Sequence, residues 1–272
     1  MHLAISINTL CLKPAPLGDL LDTVARIGAR GISPDLEQVK EAGARKSATF
    51  FRDAGLEVAT LTHRSFDFAT PERTAAGRER LKDTIAIAAE IGAQSIIMTT
   101  GGRGTLCWAE AAERFAEAMA PCAEAARLAG IPLGIEPTSH LYSDVSIAHR
   151  LADTVALARK AGIGVMIDIF ACWFDSDIES AIADAGATSP LIQVSDYVYG
   201  DRALPCRAVP GDGAVPFDRL VSAIARSGFD GWFDLEIIGP RLQAEGQEAG
   251  LRRAAENMGD LLASAGFPTG QP

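Results

Sequence analysis

A chain of 272 residues, 48% hydrophobic and 22% charged, is long enough to bury a full core. Its net charge of −10, with no basic run, would repel a phosphate backbone or an anionic membrane, so neither nucleic acid nor membrane is expected as a partner. No stretch approaches the ~18 apolar residues of a membrane span. Five scattered cysteines without a C-x-x-C read as reduced thiols, and an opening MHLAISINTLCLKP with no basic leader suits the cytoplasm.

Along the chain, buried apolar runs alternate with segments of helical period. A first strand at 3–8 precedes a helix at 17–28, and a second at 30–34 precedes a helix at 37–54. The third strand, 56–62, leads to a helix at 74–91, and the fourth, 94–99, to a long helix at 108–129. The fifth, 131–136, is followed by a helix at 147–161, and the sixth, 163–168, by a short one at 176–184. The seventh, 190–195, precedes a helix at 217–227, and the eighth, 231–236, the last helix at 245–264.

Eight strands alternating with eight helices, with no linker or composition break, predict one domain over 1–272 with a frayed tail at 265–272. The count and length favour a single closed (β/α)₈ TIM barrel over an open doubly wound sheet. Six copies of one unit support this: a small-residue helix end runs through a glycine into an apolar strand, as in ARIGARGISPD (25–35) and RKAGIGVMID (159–168). Glycine closes a helix because it enters the left-handed region without penalty. Segments after strands are longer than the tight turns before them, which predicts one functional rim and one structural rim.

Several strands stop on a carboxylate: Glu136, Asp168 and Glu236, with Gln193 and Asp196 at a fourth end. Unpaired charge there is costly, and acids converging on one axis raise each other's pKa unless a cation sits among them. A divalent metal resolves this. Oxygen donors suit Mn²⁺ or Mg²⁺ first, with Co²⁺ or Zn²⁺ as further options. The competing reading has each acid capping the next helix or pairing with a rim arginine.

The segments GIEP (134–137), IDIFACWFD (167–175), QVSDY (193–197), RAVPGDG (207–213) and DLEI (234–237) carry a resemblance to the sugar phosphate isomerase/epimerase superfamily with the xylose isomerase-like barrel. It spans nearly the whole chain. The resemblance implies metal ligands at Glu136, Asp168, Gln193 and Glu236, with Glu136 and Glu236 also exchanging a proton with the substrate carbon. It implies that Arg207 contacts substrate. Two positions depart from the superfamily pattern: Gln193 stands where a histidine ligand is usual, and Ala171 where a second histidine often follows the sixth strand.

Of four histidines, His63 ends the third strand and is a candidate acid, base or substrate donor; His140, after Glu136, is a candidate pocket residue, while His2 and His149 read as structural or solvated. Trp108, Trp173, Phe66 and Tyr197 fall after strands and are candidates to stack on substrate, Trp108 and Trp173 foremost. Arg103, in the glycine-rich TTGGRGT (99–105), is a weaker candidate for an anionic group, and Asp212 for holding the turn after Arg207. Cys11, Cys107, Cys172 and Cys206 also follow strands, but no Cys–His spacing points to thiolate catalysis.

The expected activity is a divalent-metal-dependent isomerase or epimerase acting on a sugar or related polyhydroxy ketone. A lyase or dehydratase of the same superfamily, of the inosose or dehydroshikimate type, starts from the same proton abstraction. A metal-free degenerate member is the remaining alternative. A DNA-repair endonuclease on this barrel would need a histidine-rich zinc site and a basic groove, which four histidines and a charge of −10 argue against. The expected partner is a small-molecule substrate, with pairing into a homo-oligomer possible on this kind of fold.

Overall fold

In a computed structural model that describes residues 2–63 and 66–269, the glycines of the six repeated turns all lie at positive φ, from 69° to 91°. They are Gly28, Gly55, Gly92, Gly130, Gly162 and Gly228. Each reverses the chain after a helix and releases it into a strand.

The strands are parallel and close into a ring. The first, Ile5–Asn8, lies between the second, Gly31–Ser33, and the eighth, Trp232–Leu235. The eighth pairs with the seventh, Leu191–Val194, and the fourth, Ile96–Met98, with the fifth, Leu133–Ile135. Two strands are divided, and each half has a different neighbour. The third runs as Glu57–Val58 against the second strand, then as Leu61–His63 against the fourth. The sixth runs as Gly164–Val165 against the fifth, then as Ile167–Asp168 against the seventh. Single backbone bonds carry the ladder across these breaks, from Ala59 N–H to Ile32 (2.9 Å) and Met166 N–H to Ile135 (2.9 Å). The fold is the (β/α)₈ barrel that the sequence predicts.

Helices differ from expectation mainly where glycine intervenes. The predicted helix at 37–54 is two, Leu36–Ala42 and Ala44–Asp53, broken at Gly43, whose φ is 85°. The last matches expectation as Gln247–Ser264, and a short extra helix, Pro240–Glu245, precedes it and ends at Gly246. The fifth starts later than predicted, as Leu151–Ala161. Phe267, expected in the frayed tail, packs its ring edge-on against Phe233 at 5.1 Å; residues 270–272 lie outside the described ones.

Two apolar clusters hold the barrel. The large one fills the layer between strands and helices. The small one, Ala59, Ile97, Met166, Leu191 and Trp232, plugs the interior. Gly31 leaves room for the plug: a β-carbon there would stand 2.6 Å from the Trp232 ring. Along the eighth strand, alternate residues climb one side from this floor, through Asp234, to Glu236 at the rim.

Candidate active site

At the carboxyl ends of the strands, Glu136, Asp168, Arg207 and Glu236 line one cavity of about 230 Å³. Thr99, Thr138, Tyr142, Phe170 and Ala171 complete much of the wall. The cavity therefore unites acids from the fifth, sixth and eighth strands, as the sequence predicts.

Arg207 binds them together. Its Nη1 donates to Asp168 Oδ1 at 3.0 Å and its Nη2 to Asp168 Oδ2 at 2.7 Å, a two-point fork. Nη2 also lies 2.9 Å from Glu236 Oε2. Nη1 donates further to Ser195 Oγ at 3.0 Å, and the guanidinium lies over the Phe170 ring, 4.7 Å from its centre. Asp168 also caps the short helix Ile169–Cys172, accepting the Phe170 N–H at 3.0 Å. Both parts of the competing reading of the acids, a cap and an arginine pair, thus hold for Asp168.

Two motifs fix this arginine. Asp196–Tyr197 and Arg207–Ala208 form an antiparallel ribbon over the barrel mouth, and the Arg207 N–H donates to Ile238 O at 3.1 Å. The turn that follows is held by Asp196. Its buried carboxylate accepts the N–H groups of Gly211 (2.9 Å), Gly213 (2.8 Å) and Val215 (3.0 Å), besides that of Tyr197 (2.8 Å). Asp212, the sequence candidate for that task, instead pairs with Arg253 on the surface. A β-carbon at position 213 would overlap Tyr197 O and Asp196 Oδ1, so the second glycine of P-G-D-G is required by this close approach.

The environment raises the pKa of both glutamates. Burial lifts the Glu236 carboxyl; Arg207 opposes this, Asp168 and Asp234 add to it, and the result is a pKa of about 7. Glu136 is pushed well above the carboxylate range by burial, then by the charges of Glu236 and Asp168, against a smaller pull from Arg207. For Arg207, burial opposes its charge, but Asp168 and Glu236 more than offset that and keep it a cation.

Beneath this layer lies a polar set that sequence reasoning missed. Asp234 is fully buried and accepts from Ser6 (2.7 Å), Ser33 (2.6 Å) and Asn8 (3.1 Å). Burial raises its pKa, while these bonds and one to Gln193 pull it back. The alternation of serine and asparagine toward the ends of the first two strands is the signal that could have revealed it. Gln193 stands between Asp234 and Glu236 and hydrogen-bonds to both. Its Oε1 is buried with no donor among the described residues.

The proposed metal ligands fit a divalent ion poorly as they stand. Both Asp168 oxygens are engaged by Arg207, and the guanidinium bridges Asp168 and Glu236, where a metal shared by those two would lie. Among the described residues no three His, Cys, Asp or Glu side chains are grouped to hold a metal. Among the described residues the Gln193 oxygen is the one fully buried side-chain atom without a hydrogen-bond partner, and one neutral oxygen does not make a cation site.

The other candidates are distributed elsewhere. His63 is turned outward: its Nδ1 pairs with Thr84 Oγ1 of the helix Pro71–Ile91 at 2.9 Å. The break in the third strand at Ala59–Thr60 accounts for this, since one irregular residue exchanges the two faces of a strand. Burial first, then Arg80 and Lys40, lower its pKa to about 4, so the imidazole is neutral. His140 is exposed on a 3₁₀ turn and does not line the cavity. Trp108 ties its indole N–H to Ile147 O (3.0 Å) away from the acids. Trp173 lies outside the cavity wall in an aromatic cluster with Phe174, Tyr197 and Tyr199. Phe66 is buried against Phe68 and Phe115. Arg103 lines a separate open groove with Asp67 and Asp144. Burial pushes the Cys11 and Cys172 thiols well up, the opposite of a reactive thiolate. Arg64 and Ser65, in the segment after the third strand, lie outside the described residues. No helix among the described residues is long and apolar enough to cross a membrane.

Known proteins share this architecture. A putative hydroxypyruvate isomerase of Streptomyces coelicolor is 28% identical over 222 residues, which cover 75% of this chain and 76% of that protein. The IolI protein, solved with a zinc atom, aligns with a TM-score of 0.83 at 15% identity, covering 97% of this chain and 99% of its own. A D-psicose 3-epimerase from Clostridium cellulolyticum H10, solved with D-tagatose, aligns at 0.80 and 16% identity over 98% of this chain and 100% of its own. At such identities the solved structures speak for fold alone. The family model described as a xylose isomerase-like TIM barrel matches residues 21–261, and this chain belongs to that family.

Proposed function

We propose that this chain is an isomerase that moves a proton beside the carbonyl of a small polyhydroxy or hydroxy-keto compound. The observation that carries this reading is the pair Glu136 and Glu236, two carboxyls lining one cavity around Arg207, both lifted by burial and Glu236 to about 7. Two carboxyls facing one cavity can divide acid and base roles between them. The similarity to a putative hydroxypyruvate isomerase supports isomerisation over the lyase alternative. The cavity, about 230 Å³, is below the roughly 300–1,000 Å³ of drug-sized sites and suits a compound of a few carbons.

Glu236, near half ionised at pH 7, takes the proton from carbon. The C–H electron pair moves into the adjacent carbonyl, and the charge of the Arg207 guanidinium lining the cavity stabilises the resulting oxyanion. Glu136, whose carboxyl burial lifts well above its ordinary value, returns a proton from the fifth-strand side of the cavity. Delivery to the opposite face of the same carbon gives an epimer; delivery to the former carbonyl carbon gives an aldose–ketose isomer, with the hydroxyl proton shifting to the other oxygen. Asp168 holds the guanidinium in place. The test is deuterium uptake beside the carbonyl of ketoses and hydroxypyruvate in D₂O, followed by NMR. Uptake should fall by about 10²–10⁴-fold in Glu136→Gln and in Glu236→Gln. Uptake that persists in both variants rules out this pair.

A further inference from the structure

We infer that the Arg207 guanidinium, rather than a bound divalent metal, is the cation that this site presents to its substrate. The inference rests on the proton-transfer reading above and replaces the metal that the resemblance implies. Its ground is geometry. The guanidinium already spans Asp168 and Glu236, at 2.7 and 2.9 Å from their oxygens. It is held there by Ser195 Oγ and the Phe170 face, while the ribbon with Tyr197 and the bond to Ile238 fix the Arg207 backbone. The Asp168 carboxylate is fixed as well, by its bond from the Phe170 N–H. A metal using Asp168 and Glu236 would have to displace a buried arginine whose anchors do not depend on the metal. Without that displacement it would sit against a like charge.

The neutral Gln193 fits the same scheme. It hydrogen-bonds to Asp234 and Glu236 and brings no charge of its own. A guanidinium can take over the electrostatic part of the metal's work, because its charge stabilises the oxyanion as the C–H bond breaks. No electron transfer or co-reactant is involved: the proton passes to Glu236, and the oxyanion is neutralised when Glu136 returns a proton.

The experiment is a titration of EDTA-stripped wild-type protein with MnCl₂ and ZnCl₂, followed by calorimetry and by the EPR signal of free Mn²⁺. Neither metal should bind at micromolar concentration, and deuterium exchange should be unchanged within about 2-fold in EDTA. One equivalent of either metal bound with micromolar affinity overturns the inference, as does exchange that EDTA abolishes and metal restores. Arg207→Ala, checked for folding by circular dichroism, should lose exchange by about 10²–10³-fold, the usual cost of one oxyanion donor. Full exchange in that variant also overturns it. Should Arg207→Ala fail to fold, the wild-type titration still decides. Should wild-type protein exchange no candidate substrate, the proton-transfer reading fails while the titration still reports on the cation.

Discussion

Burial raises the Glu236 carboxyl, Arg207 pulls it down, and Asp168 and Asp234 raise it again, from an ordinary 4.5 to about 7. Between those values the folded chain holds a proton that the unfolded chain has lost. This group's contribution to stability is therefore complete below pH 4.5 and is lost as the pH rises through 7. Glu236→Gln should remove that slope: urea unfolding at pH 5 and pH 8 should differ less in the variant than in wild type, by on the order of 1–3 kcal/mol. Identical slopes would contradict the assigned environment. The exchange rate of wild type should climb with pH through about 7 as the base ionises. At this scale Glu136, Asp168, Glu236 and Arg207 are legible in the sequence, because each adjoins an apolar run or a Pro-Gly turn. His63 is not legible, because the irregularity at Ala59–Thr60 turns it toward Thr84.

One scale up, the stretch 196–216 contains two aspartates with different duties. Asp196 accepts three N–H groups from across the loop, whereas Asp212 makes an exposed pair with Arg253. Asp196→Ala leaves those donors without their partner and should cost on the order of 2–5 kcal/mol, with faster hydrogen exchange at 209–215. Asp212→Ala should cost under about 1 kcal/mol in the same urea titration. A reversed ranking would show that Asp212 holds the turn. The sequence marks a turn at P-G-D-G, but its anchor follows the seventh strand and is revealed only by how the ribbon folds back. The third and sixth strands teach the same lesson, since their division follows from partner exchange that no local pattern announces.

For the whole molecule, the site exists only when the ring is closed, because its acids come from three strands and its arginine from a ribbon over the mouth. Loss of exchange and loss of tertiary structure should therefore coincide in a urea titration monitored through Trp232, whose ring plugs the barrel interior, in a Trp108→Phe, Trp173→Phe background. Activity lost well before the fluorescence change would mean that the mouth opens separately. The sequence by itself determined the alternation, the six helix ends and the acids that terminate strands. These depend on local matters: which residue tolerates positive φ, and which apolar runs can be buried. Only the tertiary structure decided which cation meets those acids. Arg207 reaches Asp168 across 39 residues of sequence, and a contact of 2.7 Å depends on strand register and ribbon geometry, which local propensity does not set.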